Sequence, residues 1–249
     1  MNKENTYIFG VHAVIEALRS ETVINKILIQ KGIDKELFLQ LKNELKGKNH
    51  QLQFVPVEKI NKLCKQNHQG VLAFVSPVEY HQTVDIVEQL LEEGRKPNLL
   101  MLDRITDVRN FGAIARTAEC MGVDAIIIAS KGAAQITPDA IKTSSGALSR
   151  IPVCREDHLI DVLLMLKQYE LKIIACTEKT AHEVPDTNML GASVIIMGSE
   201  EDGISSELLK HADVRAKIPM YGVIASLNVG VATGIVLYEK MMQERAHKE

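Results

Sequence analysis

Tryptophan is absent from this 249-residue chain, and phenylalanine and tyrosine together number ten. Aromatic platforms for stacking several bases in series are therefore not built into it. The four cysteines, Cys64, Cys120, Cys154 and Cys176, are far apart and form no CxxC pair, which excludes a disulfide framework and a zinc ribbon and fits small apolar residues in a reducing compartment. Eight histidines show no HExxH or other metal-ligand spacing, so no metal is expected. No apolar run approaches the roughly 20 residues that span a bilayer. The opening MNKENTYIFG has no basic-then-apolar leader, so no membrane and a cytoplasmic location are expected. GxGxxG, GxxxxGK[ST] and GxSxG are missing too, which argues against a usual dinucleotide site, a nucleoside-triphosphate site and an acyl-transfer serine.

What is present is an ordinary globular composition with an uneven charge. The net charge is −3, yet residues 1–76 hold eleven Lys/Arg against seven Asp/Glu, whereas residues 98–249 hold sixteen against twenty. A lysine-rich front suits phosphate contacts through Arg19, Lys26 and Lys31, and solvated helix faces explain it equally well.

The patterning divides the chain into three: residues 1–77, an acidic connector over 78–97, and residues 98–249. In the front segment YIFGVHAVIEALR reads as a turn into an amphipathic helix. NKILIQ is a strand, residues 34–49 a helix capped by Asp34, and LQFVPV and GVLAFVSPV two further strands. The connector EYHQTVDIVEQLLEEGRKPN reads as helical. Beyond it come the apolar runs 98–104, 124–130, 172–177, 193–199 and 214–220, with helical patterns between most of them. This is an α/β chain whose second part is a doubly wound parallel sheet.

Ligands of such sheets bind beyond the carboxyl ends of the strands, where this chain places NFGAIARTAECMG, IIMGSEEDGIS and IPMYGVIASLNVGVATGIVLYE. These three segments, in this order and spacing, resemble the motifs of the SpoU (TrmH) family of RNA ribose 2′-O-methyltransferases. YIFGVHAVIEAL and HQGVLAFVSP resemble the small RNA-binding domain of the family's 23S rRNA guanosine-methylating subgroup. The resemblance covers nearly the whole chain. It implies a catalytic domain whose C-terminal segment is threaded into a trefoil knot, a rare exception to un-knotted topology. Close backbone approach in the knot is the expected reason for Gly222 and Gly230, with Gly234 easing helix packing. S-adenosylmethionine, the only cofactor implied, lies bent in the knots of relatives, held mostly by main-chain groups. Carried onto this sequence, those contacts fall around Thr177, Met197, Gly198, Ile218, Met220 and Leu227.

The resemblance also designates Arg116, Asn110, Glu200, Ser226 and Asn228 as catalytic. A ribose hydroxyl is a poor nucleophile that must lose its proton during attack. The usual reading makes the arginine the general base. A guanidinium with a pKa above about 12 is better suited to stabilise the developing alkoxide as a fixed cation. Asn110 and Asn228 orient loops or ribose by uncharged hydrogen bonds, and Glu200 fixes the knot or Asn110. Ser226 bonds substrate or knot backbone. Relatives often carry a second serine where this chain has Gly230, and activity is expected to survive that difference. His12 and His68 are read as packing or capping groups. The implied partners are RNA, 23S rRNA foremost, and a second copy in a homodimer joined through the knotted domain, with Arg116 acting across the interface. Rival readings are a tRNA ribose methyltransferase, a non-catalytic RNA-binding assembly factor, and a nucleotide-dependent oxidoreductase.

Overall fold

The computed structural model describes residues 7–20, 22–46, 50–224 and 226–248. They form two compact units, one of residues 1–79 with 135–138 and one of residues 80–134 with 139–249. Among the described residues, no helix is long and apolar enough to cross a membrane.

The first unit runs β1 (Tyr7–Phe9), α1 (Val11–Arg19), β2 (Ile24–Gln30), α2 (Lys35–Leu45), β3 (Leu52–Val55), α3 (Val57–Leu63) and β4 (Val71–Val75). Its sheet has the order β1-β4-β2-β3, with β4 antiparallel to both neighbours and β3 parallel to β2. Tyr7–Phe9, expected as a turn, is a strand because the antiparallel partner β4 supplies its ladder. Asp34 caps α2 as expected, its Oδ1 accepting from Glu36 N at 2.9 Å and Leu37 N at 3.1 Å. The expected C-terminal end of that helix at 49 falls partly outside the described residues, and α2 stops at Leu45. Valines and isoleucines of α1, β2 and β4 pack with Leu41 into one apolar core.

The second unit runs β5 (Tyr80–His81), α4 (Thr83–Glu92), β6 (Asn98–Leu102), α5 (Val108–Cys120), β7 (Ala125–Ala129), α6 (Pro138–Thr143), β8 (Val153–Glu156), α7 (Leu159–Gln168), β9 (Lys172–Cys176), β10 (Ser193–Met197), α8 (Ser206–His211), β11 (Val214–Ala216) and α9 (Val229–Lys248). Its seven strands lie in the order β11-β9-β10-β6-β7-β8-β5 and every neighbouring pair is parallel. Strands buried on both faces carry no polar alternation, which is why β7 reads AIIIA and β10 SVIIM. Two strands are additional to the sequence reading. VCRE is too short and mixed to signal β8, and Tyr80–His81 of the acidic connector adds an edge strand beside it. The strand expected over 214–220 ends at Ala216, short of Pro219, which has no N–H for a ladder. The chain runs outward from β6 through β7 to β8, then crosses to β9 on the other side of β6. The switch point therefore falls between β6 and β10.

Candidate functional site

A cavity of about 590 Å³ opens at the carboxyl ends of β9, β10 and β11. Thr177 continues β9, Met197 and Gly198 end β10, and Ile218 and Met220 follow β11. Ser226 and Leu227 close the wall just before α9, and Glu200 stands on the loop after β10. Eight of the residues singled out from the sequence thus surround one space.

The loop after β10 is tightly held. A Cβ on Gly198 would lie 2.1 Å from the carbonyl carbon of Gly203 and 2.2 Å from Ile204 N, so only glycine fits. Gly203, at φ 68°, donates its N–H to Ser199 O at 3.0 Å and closes the loop on itself. From the end of β6, Asp103 Oδ2 accepts from Ser205 N at 2.7 Å. Arg104 donates to Gly203 O at 3.0 Å and to Asp202 at 3.1 Å. Arg104 and Asp103 carry no sequence signal, because LDR reads as the tail of a strand and Arg104's φ of 58° does not show in its residue type.

Glu200 joins three elements. One carboxylate oxygen accepts from Asn110 Nδ2 at 3.1 Å, and the other from Asn228 Nδ2 at 2.7 Å and Val229 N at 3.3 Å. Asn228 Nδ2 also donates to Asn110 Oδ1 at 2.9 Å, which closes the triangle. The remaining amide oxygen of Asn228 caps α9, accepting from Gly230 N at 3.0 Å and Val231 N at 3.3 Å. Asp107 caps α5 and accepts from Asn110 N at 2.8 Å. These three residues, 118 positions apart at the extremes, form one polar unit beside the cavity and do not line it as a set; only Glu200 does.

The opposite wall is bare. Among the described residues, the backbone of 218–224 and 226–227 makes no hydrogen bond. Amide and carbonyl groups of Ile218, Met220 and Leu227 are thus available to a ligand. The cavity lining carries the carboxylates Glu178, Glu200, Glu201 and Asp202 against Lys179 and Lys217. Burial pushes the Cys176 thiol at the end of β9 up to about 12, so it stays protonated near neutral pH.

Arg116 stands apart. It is exposed on α5, does not line the cavity, and has no hydrogen-bond or ion-pair partner among the described residues. At Gly222, where close backbone approach is expected, a Cβ would meet open space. Close approach is required at Gly198 instead. At Gly230 a Cβ would come within 3.1 Å of Asn228 Oδ1, and at Gly234 only ordinary contact with Thr117 of α5 would follow. His68 is a turn-fixing group, its Nδ1 accepting from Gly70 N at 3.0 Å and its Nε2 donating to Asn61 Oδ1 at 2.7 Å.

Comparison with known proteins agrees with this division. Residues 97–238 match the SpoU rRNA Methylase family, and residues 7–81 match the RNA 2′-O ribose methyltransferase substrate binding domain. A Staphylococcus epidermidis protein, provisionally named a TrmH family tRNA/rRNA methyltransferase, is 35% identical over 236 residues, 95% of each chain. The SpoU methyltransferase AviRb of Streptomyces viridochromogenes, solved with AdoMet, shares the fold at TM-score 0.61 and 21% identity, over 97% of this chain and 90% of that one. The TrmH/SpoU tRNA modifying enzyme of A. aeolicus is 29% identical with a TM-score of 0.56, covering 66% of this chain and 86% of its own.

Proposed function

We propose that this chain, which belongs to the SpoU rRNA methylase family, methylates a ribose 2′-hydroxyl in RNA, with a guanosine of 23S rRNA as the target. The observation that carries this reading is the meeting of Thr177, Met197, Gly198, Glu200, Ile218, Met220, Ser226 and Leu227 around one cavity at the carboxyl ends of β9, β10 and β11. S-adenosylmethionine fits that cavity. Its unpaired main-chain groups suit the edges of adenine, and its excess of carboxylates over lysines suits a sulfonium cation. When bound, the donor supplies an electrophilic methyl group on sulfur. The binding residues are Thr177, Met197, Gly198, Ile218, Met220 and Leu227. The SpoU structure solved with AdoMet supports the choice of donor.

The chain's own residues align and stabilise. Glu200 locks Asn110 and Asn228 to each other, so both amides are fixed before a ribose arrives. Ser226 on the cavity wall faces the substrate side. Arg116, a cation without a partner among the described residues, stabilises the ribose oxygen as it gives up its proton to water. It reaches that position from a second copy. Val231, Ile235, Tyr238 and Met242 recur at helical spacing along the exposed face of α9, and Tyr221, Val223 and Ile224 are bare beside the cavity. We assign both apolar sets to a symmetric dimer, and the segment after β11 to the family's knot. Residues 1–77 hold the RNA, with residues 78–97 leading to the catalytic domain.

The test is incubation of the full chain with labelled S-adenosylmethionine and total RNA from cells lacking the enzyme, followed by mapping of ribose methylation. Label at one guanosine of 23S rRNA is expected. Label confined to tRNA would keep the chemistry and overturn the target, and donor binding without transfer would favour an assembly factor. In the same assay Arg116→Ala should lose about 10²-fold or more in kcat while donor affinity is kept. Wild-type turnover would remove Arg116 from the reaction.

A further inference from the structure

The first unit has a cleft of its own, about 390 Å³, between the turn that leads into β4 and the start of α2. The turn is rigid. Gln69 and Gly70 both take left-handed φ values, 50° and 78°. A Cβ on Gly70 would meet Gln30 at 3.1 Å. His68, only 8% exposed, is held by both ring nitrogens, and Gln69 Oε1 accepts from Val11 N at 3.0 Å.

Gln30, Gln66 and Asn67 line the cleft beside this frame, and their side chains have no hydrogen-bond partner among the described residues. Ile33 and Leu37 form an apolar wall. Among the described residues no lysine or arginine lines the space, and Asp34 brings a carboxylate to it. The lining itself therefore offers a phosphodiester no lysine or arginine contact, although the unit as a whole is rich in lysine. A flat group with donors and acceptors on its edge and apolar faces is what these walls complement. Asp34 Oδ1 caps α2, so Oδ2 remains to accept from a ligand. Guanine, with two adjacent N–H donors and a carbonyl on its Watson–Crick edge, matches a carboxylate flanked by amides. That edge is reachable only when the base is unpaired.

We propose that this cleft reads one unpaired guanine of the substrate RNA, separately from the nucleotide that is methylated. The inference rests on the RNA methyltransferase reading for its substrate, and its test is arranged to fail separately. The full chain would be titrated into a labelled ten-nucleotide oligouridine carrying one central guanosine, its adenosine counterpart, and a duplex containing the guanosine strand. The exposed pair Gln66→Ala/Asn67→Ala should weaken the guanosine oligonucleotide about tenfold and leave the duplex unchanged. Asp34→Asn, which keeps an N-cap oxygen, should erase the preference for guanosine over adenosine. Equal weakening of single strand and duplex, or none, would overturn the assignment. Methyl transfer to total RNA by the same proteins separates the two readings. Transfer by wild type with an unchanged KM in the double variant defeats the cleft alone, whereas absence of transfer by wild type defeats the enzyme reading and leaves the binding result to stand on its own.

Discussion

The two walls of the cavity in the second unit are built in opposite ways. The wall after β10 is fixed by the crowding at Gly198, by the carbonyl and carboxylate contacts of Arg104, and by the backbone bond from Ser205 to Asp103. The wall after β11 makes no backbone hydrogen bond to other described residues through 218–224 and 226–227, and it exposes Tyr221 at 97% and Ile224 at 74%. A pinned wall places catalytic groups before substrate arrives. A bare wall keeps its backbone groups and apolar side chains for something that comes later, and those two needs cannot be met by one segment.

Gly198→Ala is the strongest way to break the contrast. The added methyl meets backbone at 2.1 Å, and neither Gly203 nor Ile204 can turn aside as a flexible side chain would. We expect a loss of about 3 kcal/mol or more, read as a fall in Tm of about 6 °C or more, together with loss of donor binding. An unchanged Tm would mean that the loop after β10 yields easily and that the wall is not pinned.

The same contrast explains how much could be read in advance. The parallel sheet was legible because doubly buried strands leave long apolar runs, and β6, β7, β9 and β10 all carry one. The cavity residues were legible through motif resemblance and strand-end position. What held them was not. Arg104 works through a left-handed backbone conformation that arginine does not announce, and the bond between Asn110 and Asn228 spans 118 positions. The crowding at Gly198 was not legible either, because a sequence shows where glycines are and not which of them is crowded. Strands β1, β5 and β8, of two to four residues, owe their existence to partners elsewhere in the sheets.

The bare wall is tested by Val223→Ser/Ile224→Ser. Both side chains are exposed within one copy, so chain stability should move by less than about 0.5 kcal/mol. If a second copy covers them, dimer dissociation measured by sedimentation should become at least about tenfold easier. A fall in Tm with an unchanged oligomeric state would show that the segment is anchored within its own chain.

The smallest effect is expected at the strand that leads into the bare wall. Asp213 immediately precedes β11, accepting from Ile173 N at 2.8 Å and from Lys167 Nζ at 2.9 Å. Partial burial pushes this carboxyl upward, but the bond from Ile173 and the Lys167 ammonium outweigh it and hold the group below its ordinary 3.8. A lowered carboxyl contributes stability that is present above pH 3.8 and is lost as pH falls through the folded value. Asp213→Asn keeps an acceptor for Ile173 and removes the charge. Because the pair with Lys167 is exposed and screened, the cost at pH 7 should be less than about 1 kcal/mol. The gap between wild type and variant should close as the medium is taken below pH 3.8, followed by denaturant midpoints across that range. A gap that persists in acid would mean that Asp213 acts through its shape rather than its charge, and that β11 is held by its pairing with β9 alone.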